Sequence, residues 1–181
     1  MFTTFSMKFF CLSLVYIFSF AQLQAQIAPT KTGSLIIQSE AQHVLDFHNK
    51  IRKEVGSPPL EWSSELSAFA QEWANHLSAN CKMEHRPENG KWMRKYGENI
   101  FWGMGREYSG VDASKSWFEE INNYKYEEIN SSNWASTGHY TQMVWKKTTK
   151  IGMGIAKCPN GGIIIVANYD PPGNYMGEKP Y

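Results

Sequence analysis

IGMGIAKCPNGGIIIV, residues 151–166, decides the fold. Ile151, Met153 and Ile155 alternate with Gly152, Gly154 and Ala156, the two-residue period of a strand with one bulky face and one nearly bare face. A bare face admits a closely packed neighbour. Pro159 to Gly162 then turns the chain into a second apolar run, Ile163 to Val166, so the stretch predicts a β-hairpin with Cys158 where the turn begins.

Upstream of the hairpin, Ser136 or Thr137 is expected to cap a short helix running through Trp145, in which His139 and Met143 share a face. A polar loop from Asn123 to Ala135 precedes it and carries the glycosylation sequon Asn130-Ser131-Ser132. Val111, Ser114, Trp117, Phe118 and Ile121 form one stripe of a helix predicted over 111–122, with Glu120 at its border. Asn99 to Trp102 reads as a short strand reached through a long polar loop, Lys82 to Gly97. Earlier still, Ser63 is a plausible cap for a helix with the apolar stripe Leu66, Phe69, Ala70, Trp73, Ala74 and Leu77. A first helix from Ser39 buries Ala41, Val44, Leu45, His48 and Ile51 and stops at Gly56, Pro58 and Pro59. Helices early and a hairpin late favour an α+β fold, with a mostly antiparallel sheet covered by helices on both faces.

Residues 1–25 have the pattern of a secretion signal: Lys8, then the apolar run Phe9 to Ala21, then Gln22 to Ala25 ending in a small residue. That run is 13 residues, short of the roughly 20 a membrane-spanning helix needs, so no transmembrane anchor is expected after cleavage. An extended lead-in, residues 26–34, is expected before a single domain at 35–181, and about 155 residues suit one hydrophobic core. Removing Lys8 with the signal leaves 17 of the 18 basic residues against 17 acidic ones, a formal charge of zero that gives no sign of a nucleic-acid partner. Only Cys81 and Cys158 remain outside the signal. An exported chain pairs two such cysteines most simply, the alternative being two buried free thiols. The pair would close a loop of 77 residues and stabilise the fold by about 4 kcal/mol in the chain-entropy account.

No nucleophile elbow, zinc helix, P-loop or paired-cysteine motif is present. What remains is a series of short motifs: Cys81-Lys82-Met83-Glu84-His85, Gly97-Glu98-Asn99-Ile100, Trp117-Phe118-Glu119-Glu120, and Gly138-His139-Tyr140-Thr141-Gln142-Met143-Val144-Trp145. In this order, and with Asn168-Tyr169-Asp170-Pro171-Pro172-Gly173-Asn174-Tyr175 at the end, they resemble the signature segments of the CAP superfamily. This is the cysteine-rich secretory, antigen-five and pathogenesis-related class, here nearest its plant and Golgi-associated members. The resemblance implies an α-β-α sandwich whose central cleft holds two histidines and two acids, falling here on His85, Glu98, Glu120 and His139. It departs from the plant pattern in the longer loop carrying Lys91, Trp92, Met93 and Arg94, and in lacking cysteines near Met153 and Ala167.

Two imidazoles and two carboxylates suit a divalent cation such as Zn²⁺ or a general acid and base, and they equally suit a purely structural cluster that pins the loops around the cleft. No cofactor is required by any motif. Asn99, Tyr140 and Gln142 are expected to support the cleft, His48 to be a satisfied core histidine, and His43 and His76 to be exposed. The resemblance implies a secreted, non-enzymatic binding module for a sterol, a fatty acid or an extracellular protein partner in a defence-like role. A metal-dependent hydrolase built on the His/Glu cluster is the alternative reading. The resemblance also implies a further reading, in which Pro171 to Tyr181 is a signalling peptide released from the carboxyl end, against the plain alternative of a tail packed on the sheet.

Overall fold

The computed structural model describes residues 26–181, so the expected signal segment lies outside the described residues. Among those residues no helix is long and apolar enough to cross a membrane. The predicted hairpin is present: β3 (Lys150–Lys157) and β4 (Ile163–Asp170) pair antiparallel, from Lys150 opposite Asp170 to Lys157 opposite Ile163. Gly161 adopts φ +87° in the connecting turn, a conformation open to glycine at no steric cost. On the other side of β4 lies β2 (Gly97–Gly103), antiparallel, with Ile100 opposite Val166. A two-residue strand, β1 (Glu61–Trp62), adds a parallel edge to β3 and completes the order β1-β3-β4-β2. Two residues are too few to show a period, so this strand left no mark in the pattern.

The bare face of β3 receives α2 (Ser64–Ser78). A Cβ at Gly152 would stand 2.3 Å from the Ser67 nitrogen, and one at Gly154 2.3 Å from the Gln71 backbone, so helix and strand backbones are in direct contact. Ala70, Trp73, Ala74 and Leu77 of this helix form a core with Ile100, Ala156, Ile164 and Val166. The opposite face presents Ile151, Met153, Ile165, Ala167 and Tyr169 to α1 (Gln38–Glu54) and α3 (Gly110–Phe118), which contribute Ala41, Val44, Leu45, Ala113 and Trp117. The result is the expected α-β-α sandwich around a mostly antiparallel sheet. The sulfurs of Cys81 and Cys158 are bonded, with Cα atoms 5.5 Å apart, tying the end of α2 to the hairpin turn.

Two helix boundaries differ from expectation. The third helix gives way after Phe118 to a 3-10 turn, Glu119–Asn123, which carries Glu120 across toward α4 (Trp134–Val144). The fourth begins two residues before Ser136, because Ser136 and Thr137 turn their hydroxyls back onto the Asn133 carbonyl, at 3.1 and 2.8 Å, instead of capping ahead.

Arg52 joins α1 to α4. Wholly buried, it donates to the carbonyls of Pro58, Met143, Trp145 and Thr148 at 2.7–3.0 Å, including those at the negative end of α4. Burial lowers its pKa to about 10. The lead-in is packed on the domain: Ala28 and Thr32 are buried, and the Thr32 carbonyl accepts from the Trp62 indole at 3.1 Å.

Candidate functional site

Strand β2 arranges the site through its two-residue period. Glu98 and Ile100 face the α2 layer, whereas Asn99 between them faces α4. Glu98 meets His85 on the first side: Nδ1 of His85 stands 2.8 Å from Oε1 of Glu98, the carboxylate side chain being 1% exposed and the imidazole 48%. The Arg86 amide also donates to that oxygen, at 3.1 Å. The Arg86 guanidinium lies buried behind the pair, 3.7 Å from the centre of the Phe69 ring and bonded to the Phe69 carbonyl at 2.7 Å. Its Nε remains 4.0 Å from Oε2 of Glu98, beyond hydrogen-bond reach, and neither atom has a hydrogen-bond partner among the described residues. Burial pulls the Arg86 pKa down, against the opposing charges of Glu98 and Glu72.

On the other side, Glu120 holds His139. Its Oε1 is 2.6 Å from Nδ1 of His139, and its Oε2 accepts the backbone N–H groups of His139 and Tyr140 at 2.8 and 3.1 Å. Trp117 stacks on the imidazole at 6.2 Å between ring centres, with 18° between planes. Asn99 donates to the His139 carbonyl at 3.0 Å and so links this pair to β2. Each imidazole therefore spends Nδ1 on a carboxylate, which leaves Nε2 as the ring nitrogen open to a ligand.

Both histidines line a cleft of about 630 Å³ with Glu98, Asn99 and Gln142. Glu120 does not line it; the carboxylate stands behind His139. Tyr140 supports the cleft through its backbone alone, its ring being turned toward Phe118 and Tyr124 at 6.1 and 5.1 Å. Gln142 closes the floor, accepting from the Gly173 amide at 3.0 Å and leaving no room for a Cβ at Gly97. Among the described residues no group of three or more His, Cys, Asp and Glu side chains is placed to hold one metal ion. The rim carries Asn174 and Tyr175 of the closing motif together with Trp134 and Met176, which no motif singled out. Trp134, Tyr175 and Met176 are about half exposed or more, and Asn174, at φ 59°, bonds Thr141 and the Gly138 carbonyl, each at 2.7 Å. Arg86 was also missed, since one basic residue in a polar loop carries no periodic signal.

His48 is the core histidine expected. A carbonyl can only accept, so Nδ1–H donates to Val44 at 2.9 Å, and Nε2 accepts from the Tyr169 hydroxyl at 3.0 Å, which in turn accepts from Asn99 at 3.4 Å. Burial lowers the His48 pKa to about 4; the Val44 bond opposes this and the Arg52 charge adds to it. His43 and His76 are exposed, His76 stacking on Trp73 at 4.7 Å.

The tail is held against the α4 side of the fold rather than on the sheet. Ile129 and Lys146 donate to the carbonyls of Glu178 and Pro180 at 2.9 and 2.7 Å, Gly177 donates to Ile129 at 2.8 Å, and Pro180 is buried.

Residues 45–169 match the profile of the Cysteine-rich secretory protein family, CAP. The chain is 42% identical over 153 residues to Pathogenesis-related protein 1 of Arabidopsis thaliana, spanning 82% of this chain and 89% of that protein. It is 38% identical over 144 residues to Pathogenesis-related protein 1C of Nicotiana tabacum, with 80% and 82% covered. Among solved structures, BmVAL-1 superposes with a TM-score of 0.72 at 28% identity, covering 82% of this chain and 84% of that one. The crystal structure of NaASP2 with Zn²⁺ gives 0.70 at 25% identity, covering 81% and 86%.

Proposed function

Because the chain belongs to the cysteine-rich secretory protein (CAP) family, we propose that it is a secreted, defence-related binding protein whose cleft takes a divalent cation between His85 and His139. The observation that carries the reading is the pairing of each Nδ1 with a carboxylate. A ligating histidine is typically oriented in this way, its second nitrogen fixed by an acid and its first left basic. Two imidazole nitrogens suit Zn²⁺ and leave coordination positions for water or for a ligand's oxygen atoms. Glu98 and Glu120 act here as orienting groups. NaASP2 is a structural relative with Zn²⁺ in its crystal structure.

The rim supports an amphiphilic ligand of the sterol or fatty-acid class, since Trp134, Tyr175 and Met176 offer apolar surface beside the polar floor. The hydrolase alternative draws no support from the carboxylates. Glu120 spends one oxygen on an imidazole and the other on two amides, and the oxygen of Glu98 that lacks a partner, Oε2, is shut away from solvent, so neither carboxylate is placed to take a proton from water. Titration of the purified mature protein with Zn²⁺ tests the reading. Binding is expected in the wild type and a loss of at least tenfold in affinity in His139→Ala, with circular dichroism confirming an unchanged fold. Equal affinity in the two proteins would exclude the site, and no saturable sterol or fatty-acid binding would exclude the amphiphile.

A further inference from the structure

Asn130-Ser131-Ser132 is the one Asn-x-Ser/Thr sequence in the chain, and the function proposed above makes no use of it. All three residues are exposed, in the connection between the 3-10 turn and α4. The Asn130 Oδ1 accepts from both the amide and the hydroxyl of Ser132, at 2.9 and 2.6 Å, an Asx turn in which the side chain of the third residue engages the asparagine amide. Its Nδ2 donates one hydrogen to the Glu128 carbonyl at 3.2 Å. An amide nitrogen carries two hydrogens, so the second is free and its replacement leaves every one of these bonds intact. The backbone at this point is held firmly: the Asn130 carbonyl accepts from Trp134 at 3.1 Å, and the Asn133 side chain accepts from the Asn130 amide at 2.9 Å.

We infer that Asn130 carries an N-linked glycan. In its formation Nδ2 bonds to the anomeric carbon of a lipid-pyrophosphate-linked oligosaccharide. The carbon–oxygen bond to the pyrophosphate breaks, the pyrophosphate leaves with the electron pair, and the amide proton passes to the transferase. The sugar then projects from the entry of α4, beside Trp134 and Ala135, which line one end of the cleft. The inference rests on the export read from residues 1–25.

Expression of the full chain in a secreting plant-cell culture tests it. The tryptic peptide Tyr126–Lys146, which contains the sequon, is expected with added sugar mass, removable by a peptide-N-glycosidase with deamidation at Asn130. Ser132→Thr keeps the modification, whereas Ser132→Ala and Asn130→Gln lose it. Secreted wild-type protein carrying only the unmodified peptide would overturn the glycan and leave export standing. Unmodified protein retained in the cells would overturn both.

Discussion

Lowering the pH from 7 to 5 is expected to weaken this fold through His48, and the size of the effect follows from the burial of that side chain. The imidazole is fully buried as the neutral tautomer, with a pKa near 4 against 6.5 for a free histidine. In the unfolded chain it takes up a proton as the pH falls through 6.5; in the folded chain it does so only near 4. Stability is therefore complete above 6.5 and is lost progressively as the pH falls through 4. Linkage gives a loss of about 2 kcal/mol at pH 5 and about 3 kcal/mol at pH 4 from this one group. Urea denaturation of wild type and His48→Gln at both pH values isolates the term, because the carboxylates common to both proteins cancel. With a slope of about 2 kcal/mol per molar urea, the wild-type midpoint should fall by about 1 M more than that of the variant between pH 7 and pH 5. Parallel losses in the two proteins would refute the reasoning.

Arg52→Met should cost about 3–5 kcal/mol in urea denaturation, because it strips the buried carbonyls of Met143, Trp145 and Thr148, and the half-buried one of Pro58, of their donor. Reduction of the bond between Cys81 and Cys158 should remove about 4 kcal/mol and lower Tm by roughly 10 °C, with the double Cys→Ser variant matching the reduced wild type. Gly154→Ala should destabilise by about 3 kcal/mol or more, since the atoms its Cβ meets are backbone and cannot swing aside; a thermal melt within a degree or two of wild type would count against direct contact of α2 with β3.

The elements that burial patterns by themselves were legible. The alternation at Ile151 to Ala156 gave a strand with one face open to a close neighbour, and Ser63 gave the start of the helix that proves to be that neighbour. What escaped is set by tertiary partners. Arg52 follows the buried Ile51, and the local pattern carries no sign of the Met143, Trp145 and Thr148 carbonyls, more than 90 residues on, that accept from it. Glu120 reads as part of a continuous helix, yet its carboxylate bonds α4 from a 3-10 turn. For the candidate site, residue types came from local motifs and convergence only from the family resemblance, since His85 and His139 stand 54 positions apart. The division of labour within each pair, with imidazole toward the cleft and acid behind or beneath it, is set by packing that no motif encodes.

Glu98 and Asn99, adjacent on one strand, serve opposite halves of the cleft, and this makes the site a checksum on sheet alignment. A slip of β2 by one position against β4 would exchange their faces. The amide would then lie among Arg86 and Phe69, and the carboxylate would confront the carbonyl of His139, acceptor against acceptor. Neither imidazole would keep its support. Misaligned chains thus lose both halves of the site at once, so the cleft exists in the correctly registered fold or in none, and any ligand that binds it selects for that register.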